Sequence, residues 1–331
     1  MRPFQFVRAA EPAEAVARVR EHRAARFLAG GTNLVDLMRL GIESPATLID
    51  VNRLALDAIE PSDDGGLRIG ATVRNSVLAA DPRVRERYPM LASALLHGAS
   101  GQVRNLATTA GNLLQRTRCP YFYDPAKPCN KREPGTGCPA REGEHHNLAI
   151  IGASEACIAT HPSDMAVAMA ALDARVELLS AEGTRSIPLA ELHRLPGETP
   201  HLETNLREGE LIMSVTLPNL PLARHSRYVK VRERASFAFA LVSVAAALEV
   251  QDGRVADVRL ALGGVAPLPW RAHRAEEVLR GASPGAETFT RAAEAELAAA
   301  APLPGNAYKV PLTRNAIVDV LSDLTESERL R

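Results

Sequence analysis

In the first third of the chain, apolar residues come in short runs separated by turn residues. Residues 26–29 read as a strand, Gly30-Gly31 as a turn, residues 34–40 as an amphipathic helix and residues 47–51 as another strand. Asp63-Asp64-Gly65-Gly66 reads as a tight turn feeding a strand at 67–69, and residues 90–98 have helical spacing ended by glycine. Alternation of this kind predicts an α+β or α/β unit. From residue 162 to 172 the spacing is again helical, with proline in the first turn. A hairpin follows, 175–180 turning at Ala181-Glu182-Gly183. Proline-rich Leu217-Pro218-Asn219-Leu220-Pro221 marks the expected boundary between residues 1–220 and 221–331. Beyond it, 239–250 and 255–262 flank residues 251–254 as a long hairpin. Helical patterns at 272–279, 284–300 and 311–321 complete a second α+β unit. No internal repeat is visible.

Between residues 116 and 147 the periodicity stops. This stretch carries three cysteines, prolines at 120, 125, 128, 134 and 139, and glycines at 135, 137 and 143. A structureless loop of about 30 residues is unusual inside a domain unless something other than an apolar core organises it. All four cysteines, Cys119, Cys129, Cys138 and Cys157, fall in or just after it, and the rest of the chain has none. The start of the chain lacks the apolar core of a secretory signal, so a disulfide pair is the less expected use and metal or cluster ligation the favoured one.

Composition narrows the classes. With 331 residues, two or three packed units are expected. Thirty-nine basic residues balance 39 acidic ones, which gives no electrostatic footprint for nucleic acid. No run approaches the roughly 18 apolar residues of a membrane span.

Two segments have the chemistry of a phosphate cradle. Ala29-Gly30-Gly31-Thr32-Asn33-Leu34 joins a strand to a helix through two glycines and two short polar side chains. Such a turn lets backbone N–H groups approach a diphosphate at a helix start. Taken alone it is equally an ordinary turn with Thr32 or Asn33 as helix cap. Ala107-Thr108-Thr109-Ala110-Gly111-Asn112-Leu113 is a second segment of the same kind. Neither matches the dinucleotide fingerprint or the triphosphate loop, which disfavours a Rossmann domain or an ATPase. A third segment, Thr160-His161-Pro162-Ser163-Asp164, sets a carboxylate at a helix start, where it is either a first-turn acid or an acceptor for sugar-like hydroxyls.

Together these three segments resemble the flavin subunits of the molybdenum hydroxylases, the family of xanthine dehydrogenase and aerobic carbon monoxide dehydrogenase. The resemblance covers nearly the whole chain. It implies an α+β fold: a two-subdomain FAD-binding domain of the vanillyl-alcohol-oxidase or CO-dehydrogenase-flavoprotein type, then a smaller α+β C-terminal domain. It also implies that FAD is held by Arg26, Phe27, Leu28, Ala29, Gly30, Gly31, Thr32, Asn33 and Leu34, by Thr108, Thr109, Gly111 and Asn112, and by Asp164. Lys230, in Tyr228-Val229-Lys230-Val231-Arg232, is implied on the flavin side, against the alternative of a solvated strand face. Leu262-Gly263-Gly264-Val265-Ala266-Pro267 resembles the C-terminal domain, with structural glycines. After Arg234 the chain runs Ala-Ser-Phe-Ala-Phe-Ala where many relatives carry an acid, so the resemblance says nothing about the acceptor side.

Within the family, the cysteine segment looks more like that of the periplasmic aldehyde oxidoreductases than that of 4-hydroxybenzoyl-CoA reductase. That implies a [4Fe-4S] cluster on Cys119, Cys129, Cys138 and Cys157, in an insertion spanning about 116–157. Four thiolates suit a cubane, whose irons each take one cysteine. Their spacing does not match the compact ferredoxin run, and zinc also accepts four thiolates. The default for His145, His146 and His161 is packing or surface.

The implied function is electron relay in an aldehyde oxidoreductase. A large molybdenum-cofactor subunit oxidises the aldehyde, a small [2Fe-2S] subunit carries electrons singly, and FAD here delivers them to an external acceptor. The chain itself supplies no evident general base or nucleophile. Competing readings are a zinc-stabilised interaction subunit without catalysis and a free-standing flavin oxidase. The resemblance further implies export to the periplasm as passenger of a twin-arginine-exported complex, the alternative being the cytoplasm.

Overall fold

Strand β3 (Thr47–Asp50) is buried along its whole length and organises the N-terminal unit. It pairs in parallel with β1 (Gln5–Arg8) on one side and β2 (Ala25–Leu28) on the other, giving the order β1-β3-β2. Parallel neighbours need crossovers. Helices Pro12–Glu21 and Leu34–Arg39 lie in the two connections. The carboxyl end of β2 therefore runs straight into Gly30-Gly31, which places that turn at the sheet's edge. The computed structural model describes residues 1–22 and 24–329, so the last two residues of the predicted second unit lie outside the described ones.

A second sheet has the order β4-β5-β8-β6-β7, formed by Ile59–Pro61, Leu67–Gly70, Leu211–Leu217, Arg175–Ser180 and Gly183–Pro188. All its pairings are antiparallel. Helices Pro89–His97 and Asp164–Ala171 pack on each other and share a core with it, burying Leu91, Leu95, Met165 and Met169 with Leu67, Ile69, Val176 and Val215. Each such side chain contributes about 1.5 to 3 kcal/mol on leaving water.

The third sheet, order β12-β11-β10-β9, comprises Trp270–Arg271, Arg254–Gly263, Val242–Gln251 and Ser226–Val231. Helices His273–Leu279, Ala286–Leu297 and Lys309–Arg329 cover it around a separate core of Val244, Leu260, Leu279, Phe289, Ile317 and Leu321. The whole is α+β.

Three expected boundaries shift. The helix expected from Pro162 begins at Asp164, because the Ser163 hydroxyl caps it by accepting from Ala166 N at 3.0 Å. The strand expected from Phe239 begins at Val242, and Phe239 lies exposed outside it. The last helix starts at Lys309 and runs to Arg329, since Pro311 falls in its first turn, where no N–H is needed.

The insertion folds around a small core of its own. Phe122, Ala140, Leu148 and Ile158 pack there with the cysteines and with Leu37 of the N-terminal unit.

Candidate functional site

The two glycine-bearing loops meet. A Cβ on Gly30 would lie 2.0 Å from Leu106 O, so only glycine allows this approach. Gly31 adopts φ +71°, the left-handed conformation that turns the chain into the helix. Asn52 braces the turn from beneath by donating through Nδ2 to Ala29 O at 2.9 Å, and Arg74 donates to Asn52 Oδ1 at 2.9 Å. Among the described residues, the N–H groups of Gly30, Gly31 and Thr32 have no acceptor. Successive free amides beside a helix start form an anion-binding concavity.

The second loop is built differently. Thr109 N and Oγ1 both donate to Val73 O, Ala110 N donates to Ala71 O, and Gly111 N donates to Thr108 Oγ1. Its amides are spent on the fold. What it offers outward is Gly111 and the side chain of Asn112, whose Oδ1 accepts from Ser163 Oγ at 2.6 Å and Gln115 Nε2 at 2.8 Å.

A long cleft opens beside both loops, lined by Thr32, Asn33, Asn75, Gly98, Gly111, Asn112, Gln115, Arg118, Asp164, Lys230, Phe237 and Phe239 among others. Its cavity volume is about 260 Å³, and it is partly open to solvent. A second cavity continues from it past Arg118, Asp164 and Phe239 to Gly263 and Gly264. At the cleft's far end Asp164 Oδ2 accepts from Lys230 Nζ at 2.8 Å and Oδ1 from Tyr228 OH at 2.5 Å. Lys230, on β9, also donates to His97 O at 3.1 Å, and its side chain is buried. It is no solvated strand face. Burial, reinforced by the Asp164 charge, pushes the Tyr228 hydroxyl well above its ordinary pKa, so it stays a donor.

Of the residues implied for FAD, the structure brings Thr32, Asn33, Gly111, Asn112, Asp164 and Lys230 to this cleft. Phe27 and Ala29 pack against the main core. Leu28 and Leu34 are partly buried, Leu28 beside Gly31, while Thr108 and Thr109 are buried. Arg26 faces a different cavity, shared with Glu43, Arg116, Lys131, His193 and Glu203. Reading the sequence missed Asn52, Arg74, Arg118, Tyr123, Tyr228's bond to Asp164, and Phe237. Arg118 and Tyr123 sat in a segment noticed only for its cysteines, Phe237 in one noted only for the acid it lacks, and Phe239 looked like a strand residue.

The four cysteines line one small cavity with Phe122, Ala140, Ile158 and Lys131. All are free thiols, and Cys119, Cys129 and Cys157 are buried. Burial pushes Cys119 up to about 12 and raises Cys138 and Cys157, with the Lys131 charge opposing the shift at Cys157. Among the described residues, no three Cys, His, Asp or Glu side chains are grouped closely enough to hold one metal ion. A cubane spreads its four cysteines over four irons, whereas zinc draws them onto one atom. Four thiols facing one cavity are the donor count that a four-iron cluster takes. Asn130 ties the loop together: its Oδ1 accepts from Gly137 N at 2.7 Å and its Nδ2 donates to Ala156 O at 3.1 Å, each next to a cysteine. Lys131, Glu203, Arg116 and Glu43 form a chain of ion pairs from the insertion to the N-terminal unit. His161 and His193 stand edge to face at 4.3 Å; burial lowers the pKa of both, and the His193 charge lowers that of His161 further.

Residues 2–220 match the family model for the FAD binding domain in molybdopterin dehydrogenase, and residues 227–324 that for the CO dehydrogenase flavoprotein C-terminal domain. The aldehyde oxidoreductase FAD-binding subunit PaoB of Escherichia coli K12 is 56% identical over 98% of both chains. The glyceraldehyde dehydrogenase medium chain of Sulfolobus acidocaldarius is 29% identical over 83% of this chain and 80% of its own. Among solved structures, quinoline 2-oxidoreductase from Pseudomonas putida 86 matches with a TM-score of 0.76, 25% identity and 98% coverage of each chain.

Proposed function

The chain belongs to the FAD-binding flavoprotein subunits of the molybdopterin dehydrogenases, and from that premise we propose that it is the electron-relaying subunit of an aldehyde oxidoreductase complex. FAD, when bound, supplies the two-electron redox chemistry that joins one-electron donors to a terminal acceptor. The observation that carries the reading is the cleft, lined by Thr32 and Asn33 of the first glycine loop and by the Asp164–Lys230 pair, with the unbonded amides of Gly30 and Gly31 just before Thr32 in the chain.

The chain's own residues bind and orient. The amides of Gly30, Gly31 and Thr32 offer themselves to the diphosphate. Asp164, held by Tyr228 and Lys230, keeps lone pairs for ribityl hydroxyls. Lys230 sets a fixed positive charge beside the ring end, which favours the more electron-rich state of whatever lies there. Phe237 and Phe239 border the cleft and limit access of water and of oxidants.

The cysteine cavity belongs to the same proposal. Cys119, Cys129, Cys138 and Cys157 would hold a [4Fe-4S] cluster, whose chemistry is one-electron transfer or bracing of the loop. The large partner would carry the molybdenum cofactor and the small one [2Fe-2S] clusters, and export as passenger on a partner's twin-arginine signal completes the proposal. Anaerobic mixing tests the relay. An aldehyde should bleach the flavin of the assembled complex within its turnover time and leave that of the isolated chain oxidised. Bleaching in the isolated chain overturns the relay in favour of a free-standing oxidase.

A further inference from the structure

The cysteine insertion reaches the flavin cleft at points its cysteines do not require. Arg118, one residue before Cys119, lines both the cleft and the cavity that continues it. Its guanidinium lies over the Tyr123 ring, 5.7 Å from the centroid, and over the Phe239 ring at 5.1 Å. Two aromatic faces thus fix its position. Its hydrogen bonds go to neutral acceptors, Arg116 O and Gln115 Oε1, and among the described residues it has no ion-pair partner. Asp36, on the same cleft, offsets its charge only from beyond ion-pair distance, so this half-buried guanidinium is better satisfied once an anion arrives beside it.

The same stretch grips the first glycine loop. Arg116 N donates to Asn33 Oδ1 at 2.9 Å, and Asn33 Nδ2 donates to Tyr123 OH at 3.2 Å. Both ends of that side-chain amide are therefore bonded to the insertion, and Asn33 lines the cleft.

The geometry points to Arg118 as the charge partner that the insertion delivers to the bound dinucleotide, with Arg116 and Tyr123 as positioning residues for Asn33. The insertion completes the flavin site as well as holding its own cysteines. This rests on FAD occupying the cleft. The anion met by Arg118 is either the diphosphate or the isoalloxazine ring once it carries negative charge, and the two leave different signatures. Because the sites share Asn33 and Tyr123, FAD binding and order in the insertion are linked in both directions.

The test uses the intact purified complex with Arg118→Gln, Arg118→Lys and Tyr123→Phe. FAD affinity, flavin midpoint potential, iron content and thermal unfolding are measured on each. Losing a charge-assisted contact predicts at least about tenfold weaker FAD binding in Arg118→Gln if the diphosphate is the partner. If the ring is the partner, the reduced form is selectively weakened about tenfold, a fall of about 30 mV for a two-electron couple. Arg118→Lys should recover part of either effect. Wild-type affinity and potential in a folded, iron-replete Arg118→Gln overturn the inference. Should that variant lose its iron, Tyr123→Phe decides: FAD binding weakened about threefold or more with iron unchanged supports the inference, and unchanged binding overturns it. A wild-type complex without FAD overturns the function itself, and this inference with it.

Discussion

Replacing Gly30 by alanine should cost the chain its FAD while leaving most of the fold standing. The added Cβ would sit 2.0 Å from Leu106 O and 2.7 Å from Leu106 C, both backbone atoms that no rotamer change can clear. Real Cβ contacts stay beyond 3.0 Å, so the two loops must part by at least about 1.0 Å. Overpacking of this kind costs about 1 to 3 kcal/mol of stability. The larger effect is on binding, because the free amides of Gly30 to Thr32 move away from their ligand. Losing one or two hydrogen bonds to a charged phosphate weakens binding by roughly 1.5 to 3 kcal/mol each, or about tenfold or more. Flavin fluorescence titration of the apoprotein gives the affinity, and urea unfolding gives the stability. Gly285→Ala is the control: that glycine is extended, has nothing within 4 Å of its Cβ position and precedes helix Ala286–Leu297. It should cost about 0.5 to 1 kcal/mol, because alanine caps a helix less well than glycine, and leave FAD affinity alone. Equal FAD affinity in Gly30→Ala and wild type would refute the reasoning that this turn holds the ligand.

Three further perturbations bear on other parts of the structure. Lys230→Met strands the Asp164 carboxylate in a buried site and should destabilise the fold by about 3 to 5 kcal/mol, with Lys230→Met/Asp164→Asn recovering much of it in denaturant unfolding. Asn130→Ala removes the two bonds that tie Gly137 and Ala156 together and should cost about 1 to 3 kcal/mol. Iron should then leave to a chelator several times faster than in wild type. Lys309 is wholly buried and its pKa is lowered to about 7 by burial, although three carbonyl oxygens, of Asn147, Leu148 and Gly264, accept its hydrogen bonds. Because the unfolded chain keeps the ordinary lysine value, its contribution is present in full above that value and lost as pH falls towards 7. The stability of wild type minus that of Lys309→Met should therefore rise by up to about 1.4 kcal/mol per pH unit between pH 7 and 10. A flat difference across that range would show that the carbonyls keep the ammonium charged.

Strands and turns with strong local chemistry were legible. The strand at Leu67–Gly70 follows an Asp-Asp-Gly-Gly turn, and the hairpin of Val242–Gln251 with Arg254–Gly263 brackets Asp252-Gly253. Pairing across distance was not. Leu67 of β5 faces Leu217 of β8, and nothing local in either segment records that partner. The short edge strand Gln5–Arg8 escaped notice because its burial does not alternate. The site divides the same way. Gly30-Gly31 announces a close approach, but not that its neighbour is Leu106. Asp164 and Lys230 are 66 residues apart, and only the packing of β9 on helix Pro89–His97, and of that helix on helix Asp164–Ala171, brings the ammonium to the carboxylate. Phe239 misled for a physical reason: an apolar side chain that borders a ligand cleft carries the same pattern as one that fills a core.

The central claim, one chain holding FAD beside a four-cysteine cluster site, is tested most directly by the anaerobic absorption spectrum of the purified chain, with flavin, iron, acid-labile sulfide and zinc assayed on the same sample. The account predicts flavin bands over a broad iron-sulfur absorbance, about one FAD, and about four iron and four sulfide per chain. A folded chain that carries zinc, without flavin or sulfide, would contradict it.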